Sequence, residues 1–370
     1  MAVWRYDAHD LRTNVKLAEL PLVGVSYEET LNGAGTFQAT LPLQVDGATS
    51  PTAKATIASL LTSSSIPERT ALYLYRDEVL RGGGIVWSRR RGKGRPATLT
   101  GAGFWSYFRT QNLRTTATYN GVDQLNIARG LVGLAQAVTG SNIGVTLGAE
   151  LSGVPRIRVY NSYELKQIGE AVEQLAAVNG GFDFAIDLQP GPIKILTLSY
   201  PRRGRIAGST GVAFVDGKNL IDYEVLEDGT QSARTFTAIG AGDGLDMLLA
   251  TQTRTDLIDA GYPATSATGA FKDVIVQATL DGHAIAGVNA RAATPTFWTV
   301  TVDPDDPDGG LSTWIVGDDA LLEIPDDDNF PRGLDGSSGY RAYHRILSGK
   351  VTIPEEGKEN VVVTLGPVTQ

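Results

Sequence analysis

Cysteine is absent from all 370 residues, which excludes disulfides, thiol nucleophiles, iron–sulfur clusters and every thiolate zinc site. Histidine is nearly absent. His9, His283 and His344 are the three that occur, and each stands without a second imidazole at ligand spacing, so a zinc enzyme is not expected. No run of about 18 apolar residues is present, so nothing reads as a membrane-spanning helix. The hydrophobic share of 42% still suffices for ordinary cores. Residues 1–10 alternate charged and aromatic positions and lack the basic start and apolar run of a secretory signal. Basic charge is in deficit. The chain has 32 Lys and Arg against 41 Asp and Glu, a formal −9, and adhesion to phosphate backbones or anionic lipid is disfavoured as a main activity.

Catalytic and cofactor motifs are missing too. No Gly-Lys pair has the upstream glycine and following Ser or Thr of a phosphate loop, and neither a GxSxG elbow nor an HExxH occurs. Gly240-Ala241-Gly242-Asp243-Gly244 follows a predicted strand but is not a GxGxxG, and reads as a loop rather than a dinucleotide site. In the acidic stretch Asp303–Asp308, Pro307 takes the third ligand position of an EF-hand loop and no glutamate follows at the twelfth, so no metal site is assigned. Asp326-Asp327-Asp328 reads as a solvated turn, and Arg89-Arg90-Arg91 as the solvated arm of a hairpin rather than a nucleic-acid patch. Paired carboxylates for glycoside cleavage are not visible in sequence, because their spacing is three-dimensional. No catalytic, cofactor-binding or metal residue is predicted, and no enzymatic activity.

What is present is mostly strand. Residues 1–109 predict a β domain, a small closed or half-closed barrel, with strands at Val3–Tyr6, Leu20–Ser26, Thr36–Leu41, Ala71–Tyr75, Leu80–Trp87 and Ala97–Gly101. Asn32-Gly33-Ala34-Gly35 marks a hairpin turn, Ser50-Pro51 caps one short helix, and Arg89–Pro96 reads as a loop. The period changes at about Thr110. An amphipathic helix is predicted over Val122–Val138 with Asn120 as its cap. A second begins at Ser162 and stops at Asn179-Gly180, followed by strands Phe182–Leu188 and Ile193–Tyr200. Residues 110–205 thus read as an α+β middle domain. Residues 206–370 return to β character, with strands at Val212–Val215, Arg234–Ile239, Phe297–Val302, Trp314–Val316, Leu321–Ile324, Tyr340–Leu347 and Val361–Leu365. Helix is expected over the later half of Val274–Val288, despite Gly282 and Gly287. The run Gly84-Ile85-Val86-Trp87-Ser88 with Ala97–Gly101 resembles Arg345-Ile346-Leu347-Ser348 with Val362–Gly366. Alternating strands match easily by chance, and this likeness alone falls short of a repeat.

Several stretches are similar to the minor tail proteins of long-tailed, non-contractile bacteriophages infecting actinobacteria, in the family that includes hub proteins of the tail tip. They are Tyr73-Leu74-Tyr75-Arg76-Asp77 leading to Gly83-Gly84-Ile85-Val86, then Leu99–Tyr107. Further along come Gly180-Gly181-Phe182-Asp183-Phe184 running to Leu198–Gly204, and Val316-Gly317-Asp318-Asp319-Ala320. The resemblance implies two tube-like β-barrel domains flanking a small α+β domain, assembled as a homotrimer whose six barrels continue a hexameric tail tube. It implies distal tail, tape-measure and receptor-binding proteins as partners, and phage DNA passing through a channel without specific binding. The expected location is the virion, with assembly in the host cytoplasm. The chain stops at Gln370 directly after its last predicted strand, so the C-terminal enzymatic extension of some relatives is expected to be absent. The competing expectation is a tail component that binds or hydrolyses the host envelope.

Overall fold

The computed structural model describes residues 2–42, 51–209, 211–230, 232–292 and 296–368. The predicted Ser50 cap lies outside them, while the helix it precedes runs Pro51–Ser63. The molecule is mainly β, and beside this helix in the first β region the other helices lie in its middle and in one late insertion. Period-two alternation decides the strands. In Thr36–Leu41, Phe37, Ala39 and Leu41 turn inward while Thr36, Gln38 and Thr40 face outward or lie part-covered.

The two β regions do not close into separate barrels. Among the described residues they share one 13-stranded sheet whose pairing path is open at both ends, at Leu220–Glu227 and at Lys16–Glu19. The expectation of two separate tube-like barrels, the first closed or half-closed, is replaced by this continuous sheet. What joins the halves is an antiparallel pairing of Tyr340–Ile353 with Val23–Thr30, running from Ser348 opposite Thr30 to Ile353 opposite Val25.

Each half repeats one arrangement. In the first, the successive strands are Val23–Thr30, Thr36–Leu41, Thr70–Arg76, Val79–Gly92 and Arg95–Ala102; in the second, Leu220–Glu227, Thr296–Val302, Asp319–Ile324, Tyr340–Ile353 and Asn360–Gly366. Spatially, both sets run first, second, fifth, fourth, third, antiparallel throughout. Both hairpins of fourth and fifth strands carry a register shift at the same place, between Val86 and Ser88 and between Ile346 and Ser348. A further strand flanks the third in each half. It is Trp4–Asp10, antiparallel, in one and Ala213–Val215, parallel, in the other.

One core runs beneath both halves, from Tyr6, Leu72 and Leu99 to Trp298, Val363 and Leu365. Each large apolar side chain fully buried there contributes about 1.5–3 kcal/mol. Glu359 ties the halves at the rim, accepting from Trp4 Nε1 at 2.8 Å and Arg76 Nε at 3.1 Å.

A second core gathers helices Gln124–Ala137 and Ile168–Ala176 against Tyr73, Phe104 and Trp105 of the first β region. The first helix is capped by Asp123, which accepts from Leu125 N at 2.9 Å, not by Asn120. Asn120 lies instead in a strand, Ala117–Asp123, that sequence patterning missed and that pairs with Pro155–Tyr160. The second helix begins at Ile168 rather than Ser162, because Leu165 takes a left-handed conformation (φ 47°) that ends a single 3-10 turn. Ile168, Ala171, Val172 and Leu175 then form its buried stripe.

A third core sits within the later β region. Thr235–Ile239, Leu249–Thr253 and Ser266–Ala270 form a small sheet backed by the helix Gln277–Ala292. Gly287 does not break that helix, since a Cβ there would lie 2.3 Å from the Phe236 ring and only glycine permits the close approach. Trp314–Val316 is not a strand. It is a turn pinned by Trp314 Nε1 donating to Gly309 O at 3.1 Å.

The second core holds a charge that it does not solvate. Lys194 is 1% exposed. Its Nζ has Tyr73 Oη at 3.2 Å and lies 5.1 Å from the Phe104 ring centre. Burial pushes its ammonium down from 10.5 to about 8. The fold therefore disfavours the charged form, so stability falls as pH drops from 10.5 to 8 and carries the full penalty below that. Lys194→Met is expected to raise stability at pH 7 by about 3 kcal/mol, with the gain gone above pH 10.5. Tyr73 Oη keeps its bond to Asn14 Oδ1 at 2.8 Å in the variant. Urea unfolding at pH 7 and pH 11 measures the difference; an equal effect at both would exclude the ionisation as its cause.

Candidate functional site

Around Asp183 four parts of the chain meet. Asp183 opens the strand Asp183–Gln189 and is 6% exposed. Its carboxylate accepts from Asn32 Nδ2 at 2.8 Å, from Arg203 N at 2.7 Å and from the Arg345 guanidinium. Asn32 can reach it because the hairpin turn holds Asn32 in the left-handed region (φ 54°), a conformation asparagine tolerates. The same side chain accepts from Phe184 N at 2.7 Å. Arg345 stands on the fourth strand of the second β set and also donates to Arg203 O at 3.1 Å.

The connection leaving the middle unit supplies three more guanidinium groups. Arg203 forks onto Asp187 at 2.6 and 2.8 Å and donates through Nε to Val316 O at 3.1 Å. Burial pushes the Asp187 carboxyl up, but the Arg203 hydrogen bonds and charge outweigh it and leave it below the usual carboxylate range. Arg202 grips Asp319 and donates to Gly317 O at 3.1 Å. Arg205 reaches Asp318 through N at 2.7 Å and Nε at 3.1 Å. Asp318 and Asp319 are both fully buried. The backbones approach closely, and a Cβ on Gly204 (φ +88°) would fall 2.3 Å from the Gly317 carbonyl carbon. Two stretches singled out in sequence, Leu198–Gly204 and Val316–Ala320, are therefore neighbours in space. Nothing in their spacing along the chain announces it.

Beside this junction lies a cavity of about 410 Å³. Tyr27, Glu29, Arg81, Asp187, Arg203 and Trp314 line part of it. At its edge the Arg203 guanidinium donates through Nε, Nη1 and Nη2 to Val316 O and the Asp187 carboxylate, a positioning contact that holds the middle unit against the second β set.

The other candidate stretches resolve into structural partners. Asp306 accepts from Asn219 Nδ2 at 2.8 Å and from the backbone of Asp308 and Gly309. Asp305 pairs with Arg76, and Asp308 with Lys218. Asp327 accepts from the Tyr223 hydroxyl and, at 2.7 Å each, from Asn329 N and Phe330 N, so the triple aspartate shapes a turn. Among the described residues no group of three His, Asp or Glu is placed to hold a metal ion. The histidines are far apart in role. His9 Nδ1 meets Asn14 O at 2.8 Å, His344 meets the Tyr340 hydroxyl at 2.7 Å, and His283 stacks on Phe271 at 3.9 Å. Arg89 donates to Leu61 O and, at 2.9 Å, to Ser65 O, while Arg90 and Arg91 stay exposed. The strand itself runs on through Gly92 and turns at Lys93-Gly94, so Arg89–Pro96 is largely ladder, not loop.

No family model matches the sequence, and no curated relative matches it. Solved structures do. The chain is similar to a tail protein from Neisseria meningitidis MC58 at 14% identity and a TM-score of 0.60, over 98% of this chain and 96% of that one. It is similar to the 43 kDa tail protein of prophage MuSo2 from Shewanella oneidensis at 12% identity and a TM-score of 0.61, over 99% and 98%. A prophage tail protein, gp18, from Listeria monocytogenes EGD-e aligns at 10% identity and a TM-score of 0.56, over 99% and 95%. This is the fold of phage tail proteins, matched from end to end.

Proposed function

We propose that the chain is a structural protein of a bacteriophage tail, a hub at the tip of a long non-contractile tail that joins the hexameric tube to the tip complex. The observation that carries this is the doubled strand set within an end-to-end tail-protein fold. Two equivalent units per chain allow three chains to present six, which meets a hexameric tube without a symmetry mismatch. In this reading residues 1–109 and 206–370 supply the tube-like units, curved into a shared wall rather than separate barrels. Residues 110–205 stand at the periphery as the middle domain, held there by the Asp183 junction.

The wall encloses a channel for the outgoing genome, to which the protein binds neither specifically nor tightly. Each copy brings a formal −9. Like charge repels phosphate only within a Debye length of about 8 Å at physiological salt, so acids near the lumen matter and those outside do not. Partners are the distal tail and tape-measure proteins and the receptor-binding proteins, the location is the virion, and no enzymatic step is assigned. Cryo-EM of the assembled tail is expected to place three copies around a lumen that is not mainly basic. A different copy number, or walls lined chiefly by Arg and Lys, would overturn the proposal.

A further inference from the structure

Within one chain, the fourth strand of the second set pairs along Ser348–Ile353 with the first strand of the first set, and Lys350 stands opposite Glu28, Gly349 opposite Glu29. The repeat defines the counterparts of these two edges. Ser88 and Ser348 both follow the shared bulge, opposite Thr100 and Thr364, so Arg90 takes the place of Lys350. Leu226 pairs with Phe297, next to the Val225 and Trp298 pair, as Glu28 pairs with Thr36, next to Tyr27 and Phe37, so Leu226 takes the place of Glu28. Among the described residues neither counterpart edge has a strand partner. Leu220–Glu227 ends the sheet path, and Val79–Gly92 meets Thr70–Arg76 only as far as Ile85.

Two further features mark these edges as halves of one contact. Val225 is 37% exposed where its counterpart Tyr27 is 6% exposed, and beside it Ile221 and Leu226 are 66% and 54% exposed. Bare apolar side chains on an unpaired edge strand are a liability unless another strand covers them. Their charges are also opposite. Arg90, Arg91 and Lys93 lie on or beside one edge, and Asp222, Glu224, Glu227 and Asp228 on or beside the other.

We infer that the Ser88–Gly92 edge of one copy pairs antiparallel with the Leu220–Glu227 edge of a second copy. Arg90 then stands opposite Leu226, with Glu224 and Asp228 as its diagonal neighbours, and Arg89 opposite Glu227. The contact uses two different surfaces, so each copy offers one of each and the contact propagates around a ring. This rests on the ring proposed above and assigns its seam.

The chain has no cysteine, so introduced thiols report cleanly. Residues directly opposed across an antiparallel pair lie about 4.5–5.5 Å apart at Cα, within disulfide reach. Full-length protein carrying Arg90→Cys and Leu226→Cys together is oxidised at the highest soluble concentration, with its mass read by native mass spectrometry and non-reducing gels. The expected result is a ladder of chain-to-chain links, an equal mixture of the two single variants linking only as pairs, and neither single variant linking to itself. Lys350→Cys with Glu28→Cys is expected to link within one chain, which checks the register being copied. Arg90→Glu with Arg91→Glu should abolish assembly, and added Glu224→Lys with Glu227→Lys should restore it. A ring that forms without the heterologous link overturns the seam and leaves the ring. Self-linking of Arg90→Cys alone, or a protein that neither links nor assembles, overturns the seam and the ring together.

Discussion

Asp183→Ala is expected to cost about 3–5 kcal/mol, because removing one partner of a buried ion pair strands the other without water. Arg345 is 6% exposed, and among its other contacts Gly317 O and Arg203 O are neutral carbonyls that do not replace the carboxylate charge. Asn32 Nδ2 and Arg203 N lose their acceptor in the same step. The damage should reach beyond the local strand, since those donors come from the first hairpin, the connection and the second β set. Asp183→Asn keeps the acceptor but not the charge and should lose less. Combining Asp183→Leu with Arg345→Met removes both charges and should recover much of the loss, as apolar pairs often match buried ionic ones. Urea unfolding of the three variants decides it. A cost for Asp183→Ala below about 1 kcal/mol, the range of exposed pairs, would show that the junction does not hold the units together.

Where burial alternates, the sequence states the fold. Thr36–Leu41 is found to the residue because its inward Phe37, Ala39 and Leu41 are separated by polar positions. Leu220–Glu227 is missed for the opposite reason. Its Ile221, Tyr223 and Val225 alternate with Asp222 and Glu224, but the alternation marks no buried face, since only Leu220 of the strand is buried, and its ladder partner begins only at Thr296, across the inserted third core. The duplication is half visible. Sequence likeness pairs Ala97 with Val362, whereas the ladders make Leu99 the equivalent of Val363, one residue off, because a run of β-branched residues matches itself in either register. The ionic junction was legible only as residues: Arg202, Arg203 and Arg205 are separated from Asp318 and Asp319 by more than a hundred positions, and only folding reveals which arginine meets which aspartate.

Acid should act on a different seam, where the third core meets the middle unit. His283 is 3% exposed in the helix Gln277–Ala292, stacked on Phe271, with its Nε2 3.5 Å from Arg158 Nη2. Arg158 can only donate, so Nε2 accepts and the ring is neutral with its proton on Nδ1. Burial, then the Arg158 charge, pushes the imidazole down to about 3; Asp273 pulls the other way, while Arg156 and Lys166 add to the depression. Lys166 holds Asp273 at 3.0 Å, which leaves that carboxylate little reach for a second cation. The unfolded chain takes up a proton below 6.5 and the folded one does not until about 3. Stability is therefore complete above pH 6.5, falls as pH drops through that window, and levels off below it. The loss is roughly 4–5 kcal/mol from this one group. His283→Gln keeps an acceptor for Arg158 but cannot take the proton. The stability of the wild-type protein minus that of the variant should decline between pH 6.5 and 3, and hydrogen exchange in Gln277–Ala292 should speed up with it. Parallel profiles for the two proteins would mean that His283 is not the group that senses acid.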